Sequence, residues 1–214
     1  MNQTTIKAPS FYLACMAIAG WFALVAQFYL IIQNRVVSVG ETITRYFSFF
    51  TILTNLIVAL CVTFLLLKAK TRLGNFFSKT ATLTAITVYI TIVGIVYNVI
   101  LRFLWNPQGL QYVVDEILHT IIPFLFILFW WLYVPKAGLQ YKNALAWLVY
   151  PLLYIIYTAM RGEITGYYPY PFINVAELGY NKVLINSGGL LIAFLGLSLF
   201  LIAVAKFMSR RKQL

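Results

Sequence analysis

The chain has 214 residues, 62% of them hydrophobic and only 10% charged, with a net charge of +11. A soluble domain usually carries about 25% charged residues, so this composition excludes an ordinary soluble enzyme or nucleic-acid-binding domain. The basic surplus reads instead as the loop charge of a membrane protein, with some attraction to anionic headgroups.

Apolar runs of roughly 20 residues can cross a hydrocarbon core ~30 Å thick. Taken in order, the first is Phe11–Ile32. It is too long for a signal peptide and no small-residue cleavage site follows it, so it is read as a retained helix. The second, Phe47–Leu67, is expected to run from outside to inside. At 3.6 residues per turn, Thr44, Ser48, Thr51 and Asn55 would fall on one narrow face of it. The third, Ala81–Leu104, places Thr84, Thr87, Thr91, Asn98 and Arg102 on one face. Either stripe can be packing, with hydroxyls bonding their own i−4 carbonyls, or part of a site. Packing is the more natural reading for the threonines of the third run.

The fourth run, Ile117–Val134, opens in the phrase Asp115-Glu116-Ile117-Leu118-His119-Thr120-Ile121-Ile122-Pro123, which holds the single histidine of the chain. The fifth, Ala144–Met160, is the shortest and is interrupted by Pro151, which a membrane helix tolerates when neighbours re-satisfy the freed carbonyl. The connection from Arg161 to Lys182 is rich in Tyr and Pro, and reads equally as an aromatic interfacial belt or as a lid. The sixth run is Val183–Phe207, with Asn186 and Ser187 near its start. The fold expected is therefore all-α: one integral membrane domain over residues 1–214, a bundle of six transmembrane helices.

Charge sets the expected orientation. The N-terminus, second loop, fourth loop and C-tail carry Lys7; Lys68, Lys70, Arg72 and Lys79; Lys136 and Lys142; and Lys206, Arg210, Arg211 and Lys212, with no acid among them. The other loops hold fewer basic residues and every acid: Glu41, Asp115, Glu116, Glu163 and Glu177. The Lys/Arg bias puts both termini in the cytoplasm. Cys15 and Cys61 both lie in apolar runs, so neither a disulfide nor a cysteine metal site is expected. No phosphate-binding loop, cofactor motif or convincing internal repeat is present, and the absence of a repeat weakens a transporter reading.

Polar residues in a membrane are costly and mark functional sites by default. Those of this chain gather at the outer ends: Ser48, Thr51 and Asn55; Asn98 and Arg102; His119; and Arg161, Tyr170 and Asn186. His119 lies three residues past Glu116, roughly 4.5 Å deeper, and Ser48 three residues past Arg45 at a similar depth. A hydroxyl and an imidazole at one depth are the minimum for a base-activated oxygen nucleophile.

Three phrases resemble the androgen-induced and androgen-dependent TFPI-regulating six-helix membrane hydrolases and their bacterial six-span relatives. These are Arg45-Tyr46-Phe47-Ser48-Phe49, His119-Thr120-Ile121-Ile122-Pro123, and Thr165-Gly166-Tyr167-Tyr168-Pro169-Tyr170-Pro171-Phe172-Ile173. The third is the most specific, and together they span the second to fifth helices. Ser48 stands where that family has a Thr; Thr51, one turn further on, is the alternative. The His-to-Pro spacing is one residue shorter than in the animal members. The resemblance implies hydrolysis of lipid esters, such as fatty acid esters of hydroxy fatty acids, by a hydroxyl nucleophile and a histidine. The expected location is a bacterial plasma membrane with the site facing the extracytoplasmic side.

On this reading His119 and either Ser48 or Thr51 are catalytic. Asn55, Asn98, Arg102, Arg161, Tyr170 and Asn186 contact a lipid-like substrate, with no metal or cofactor. Asp115 or Glu116 can orient the imidazole, or stand as solvated charges at headgroup level. The alternative is a non-enzymatic protein that binds or transports a lipid or small molecule. A scaffold or assembly factor is a third reading. The oligomeric state is not legible from sequence.

Overall fold

The computed structural model describes Ile6 and Ala8–Arg211. Lys7 and Lys212, counted above among the basic flanks, lie outside the described residues. Every regular element among the described residues is helical. Five helical stretches are long and apolar enough to cross a membrane: Ser10–Gln33, Thr80–Phe103, Leu110–Tyr133, Lys142–Thr165 and Val175–Arg210. Counting the pair Val39–Tyr46 and Phe50–Leu66, bent by 69° at a short break, as one span makes six. Large apolar side chains are exposed on all of them, Phe11, Ile18 and Val25 on the first for example. Such a surface is stable against hydrocarbon rather than water.

The chain forms two compact units, Met1–Gly138 and Leu139–Leu214. The first begins with α1 (Ser10–Gln33), α2 (Val39–Tyr46) and α3 (Phe50–Leu66). It continues with α4 (Arg72–Phe77), α5 (Thr80–Val99), α6 (Leu110–Glu116) and α7 (Ile122–Tyr133). Helices α1 and α3 pack closely because small residues face each other: a Cβ at Gly20 would touch the Ala59 side chain at 3.5 Å. Met16, Ala23, Ala59, Cys61 and Val62 there are fully buried. Cys61 is a buried free thiol and Cys15 an exposed one. The Thr80–Phe103 and Leu110–Tyr133 spans have 61% and 56% of their apolar windows buried, against 33% for α1, so they form the centre of this unit.

The second apolar run is not one straight helix. Ser38 caps α2 by accepting from the Glu41 N–H, and Glu41 pairs with Arg45 one turn on. The helix ends at Tyr46, whose hydroxyl donates to the Leu24 carbonyl of α1 and ties α2 to the bundle. Phe49 is extended, and α3 starts afresh at Phe50. The expected face Thr44–Ser48–Thr51–Asn55 is therefore divided: Thr44 lies on α2, Ser48 in the corner, Thr51 and Asn55 on α3.

The fourth run begins at Leu110 rather than Ile117. Its extra turns carry polar residues, which made them look like loop, but Gln111 and Asp115 face protein: Gln111 Nε2 donates to Gln27 Oε1 of α1 at 2.8 Å. The C-terminal end of α7 is capped by Lys136, which bonds the carbonyls of Trp130 and Val134 and lies over the Trp130 ring.

The second unit consists of α8 (Lys142–Trp147), α9 (Val149–Thr165) and α10 (Val175–Arg211). Pro151 interrupts the fifth run as expected, but at its edge: it sits in the first turn of α9, where a missing N–H costs nothing. Helix α10 contains a break at Gly179, whose φ of 74° suits glycine.

Candidate functional site

One end of the first unit is organised by a defect in one helix. Between α6 and α7, Ile117–Ile121 form a π-helical turn, and the Ile122 N–H bonds the Ile117 carbonyl. Pro123 follows and has no N–H. The Leu118 carbonyl is thereby left without a backbone donor, since Ile122 is used elsewhere and Pro123 offers none. The His119 carbonyl loses its regular i+4 donor, which would have been residue 123.

Unpaired carbonyls are expensive in a membrane interior, and two asparagines from the flanking helices supply the missing donors. Asn55 Nδ2 of α3 reaches the Leu118 carbonyl at 3.1 Å. Asn98 Nδ2 of α5 reaches the His119 carbonyl at 3.2 Å. Each amide also bonds its own helix, at Thr51 and Gly94 respectively. Gly94 lets α5 approach: a Cβ there would sit 3.2 Å from the His119 carbonyl oxygen and 3.1 Å from Pro123 Cβ. π turns are rare and frequent at functional sites, and this one carries the single histidine.

The His119 ring is held on two sides. Nδ1 lies 2.9 Å from the Asp115 carbonyl oxygen. A carbonyl can only accept, so Nδ1 carries the proton and Nε2 is the basic nitrogen. The ring stacks on Tyr97 with centroids 3.9 Å apart and planes 13° from parallel. Nε2 has no hydrogen-bond partner among the described residues.

Around this ring, Asp115 is not a solvated charge, while Glu116 stays partly exposed. Asp115 is 4% exposed, accepting from the Tyr97 hydroxyl at 3.3 Å and from Gln111 at 3.2 Å. It is the Asp115 backbone, not its carboxylate, that orients the imidazole. Glu116 forms an ion pair with Arg102. Arg102 also donates to Thr120 Oγ1 at 3.3 Å, and its guanidinium carbon lies 5.5 Å from the Tyr97 ring centre.

Ser48 is fully buried in the α2–α3 corner, and its Oγ donates to the Thr44 carbonyl at 2.7 Å. Thr51 is buried in the first turn of α3. Through Asn55, the Thr51 backbone connects to the π turn. The described hydrogen bonds of His119 run to Asp115 and from Asn98, not to Ser48 or Thr51. Beside the corner lies an apolar groove of about 250 Å³, lined by Trp21, Leu24, Val25, Phe28, Tyr46, Phe47, Ile52 and Leu56.

Arg161, Tyr170 and Asn186 belong to the second unit, where all three engage the connection between α9 and α10. Arg161 is buried, its guanidinium 4.9 Å from the Tyr167 ring centre. Tyr170 stacks on Phe172. Asn186 Nδ2 donates to the Phe172 carbonyl at 2.8 Å. A Cβ at Gly162 would overlap the Tyr168 ring, so glycine is what lets this connection lie on α9. The sequence motif Thr165–Ile173 thus encodes a connection folded onto its own helices.

Among the described residues no group of three His, Cys, Asp or Glu side chains can hold a metal ion. Compared with family models, curated proteins and solved structures, the chain matches none.

Proposed function

We propose that this protein is a membrane-embedded hydrolase of lipid esters, fatty acid esters of hydroxy fatty acids among them. The observation that supports it most is the state of His119. With Nδ1 tied to the Asp115 carbonyl, Nε2 keeps its lone pair. The hydroxyl candidates are Ser48 and Thr51, and the apolar groove beside the α2–α3 corner suits an acyl chain. In the reaction, Nε2 takes the hydroxyl proton as the oxygen attacks the ester carbonyl, then returns it to the departing alcohol. Water, activated by the same nitrogen, releases the acid from the acyl-enzyme. Arg102, Asn55 or Asn98 would hold a carboxylate or the developing oxyanion. The two amides already serve the π turn, so the rest of the Arg102 guanidinium is the donor that remains for an anionic group, while Asn55 Oδ1 can only accept, from a hydroxyl of the ligand. Ser48 must first leave the Thr44 carbonyl by rotating its side chain.

Fluorophosphonate labelling of the purified protein tests this. Labelling should fall by at least about 100-fold in His119→Ala and in either Ser48→Ala or Thr51→Ala. The double variant should be little worse than the singles, because a nucleophile and its base act as a unit. Equal labelling in wild type and His119→Ala rejects the mechanism. A second reading, lipid binding without chemistry, draws on the Ser48 hydroxyl being satisfied by Thr44 and Arg102 being paired with Glu116. It predicts co-purified lipid and no labelling at all.

The same proposal puts both termini in the cytoplasm of a bacterial cell and the π turn near the external face, on the strength of the Lys/Arg distribution. Reporter fusions at Lys70 and Gly138 should read cytoplasmic; external readings at both would reverse the topology.

A further inference from the structure

At the opposite end of the first unit from the π turn, a cleft of about 580 Å³ opens between the start of α1, the end of α3 and α4. Its size is that of a small-molecule site. Leu13, Phe64, Leu65 and Leu66 give it a less exposed apolar wall, the exposed Lys68 and Lys70 form its rim, and Ser10, Asn75 and Ser78 add neutral polar groups. No acidic side chain lines it. Neither lysine has an ion-pair or hydrogen-bond partner among the described residues. Two unpaired cations over an apolar wall is the arrangement that an amphiphilic anion would complete.

The chain gives up backbone comfort to put a lysine here. Helix α3 ends with the Ala69 N–H on the Phe64 carbonyl and the Lys68 N–H on the Leu65 carbonyl, both at 3.2 Å. This terminating motif places its next-to-last residue in the left-handed region, where glycine is the usual occupant. Lys68 takes that position with φ of 48°, the one non-glycine residue with positive φ among those described. A side chain retained at a strained position is a pointer to use.

Leu13 lies in the first turns of α1 and Phe64, Leu65 and Leu66 in the last turn of α3, so the cleft sits at the ends of two apolar helices, where hydrocarbon gives way to headgroups. We infer that this cleft binds the phosphate-bearing headgroup of an anionic phospholipid, with Lys68 and Lys70 on the phosphate and the apolar wall against the first part of an acyl chain. Basic residues at a membrane surface attract anionic lipid generally. The cleft makes the difference between that diffuse attraction and a saturable site. The inference is independent of any hydrolytic activity.

The test is thermal unfolding of the purified protein in neutral detergent, with short-chain phosphatidylglycerol, short-chain phosphatidylcholine or inorganic phosphate added. A ligand that binds the folded state raises the midpoint in a saturable way. Phosphatidylglycerol should raise it by several degrees, and phosphatidylcholine should not. Inorganic phosphate, lacking the acyl chain, should need at least tenfold higher concentration. Lys68→Ala/Lys70→Ala should abolish the phosphatidylglycerol shift, while Lys79→Ala, a basic residue outside the cleft, should retain it. Lys68→Gly relieves the strained backbone, so its midpoint without lipid should be equal to or above wild type while its response to phosphatidylglycerol weakens at least tenfold. An equal response to both lipids, a full response to phosphate at the same concentration, or an undiminished shift in the double variant would each overturn the inference.

Discussion

Helices α5 and α6–α7 lie side by side in the first unit and both carry polar residues through an apolar span, yet they use them in opposite ways. On α5, Thr84, Thr87 and Thr91 each donate to the carbonyl four residues back, at 2.8, 2.8 and 2.6 Å. The helix is intact and its hydroxyls are satisfied within it. On α6–α7 the regular ladder is interrupted by the π turn, and the two carbonyls it frees are satisfied by amides of other helices. A hydroxyl has a short reach and can serve its own turn; an asparagine amide has two donors and can serve a neighbour as well. Residues that look equivalent in the sequence therefore differ in what they hold together.

This contrast can be broken by mutation. The largest effect is expected at Asn98. Asn98→Leu removes the donor to the partly buried His119 carbonyl and should destabilise by about 1–3 kcal/mol in a reversible denaturant titration in detergent. The cost should shrink in a Pro123→Ala background, because residue 123 then carries an N–H that can reach that carbonyl. A coupling energy of at least ~0.5 kcal/mol between positions 98 and 123 is the signature. Strict additivity would show that the amide is not substituting for the missing backbone bond.

Smaller effects sharpen the other side of the comparison. Thr84 differs from its stripe-mates because its Oγ1 also accepts from the Trp130 indole of α7 at 2.9 Å. Thr84→Val should cost about 0.6–1.7 kcal/mol in the same titration, the range of interhelical hydrogen bonds in membranes. Thr87→Val, which loses only a bond within its own helix, should stay within about 0.5 kcal/mol. Equal costs at the two positions would remove the distinction between self-satisfied and shared hydroxyls.

Part of the candidate site was legible in advance. The phrase from His119 to Pro123 contains its own cue: a proline four residues after a histidine frees that histidine's carbonyl. A donor had to exist, and Asn55 and Asn98 were the amides available in the neighbouring spans. Read this way, both asparagines could have been assigned to the backbone before any ligand. Tyr97 was missed altogether; a tyrosine in an apolar helix gives no sign that its ring will stack on an imidazole. The α2–α3 break was also missed, because Phe47, Ser48 and Phe49 contain neither Gly nor Pro. The corner is decided by the tie between Tyr46 and α1.

Hydropathy is a sum over neighbours in the chain, and so the sequence alone determined the helical class and where the five to six apolar stretches lie. The clustering of lysine and arginine between particular stretches is equally local. What only the tertiary structure decided is the pairing of polar groups: which amide meets which orphaned carbonyl, which acid is buried, and where the lysine of a strained turn faces a cleft. Those pairings depend on which helices pack side by side and in what register. A polar group in a membrane interior has no water to fall back on, so its partner is set by whichever neighbour the packing brings within about 3 Å.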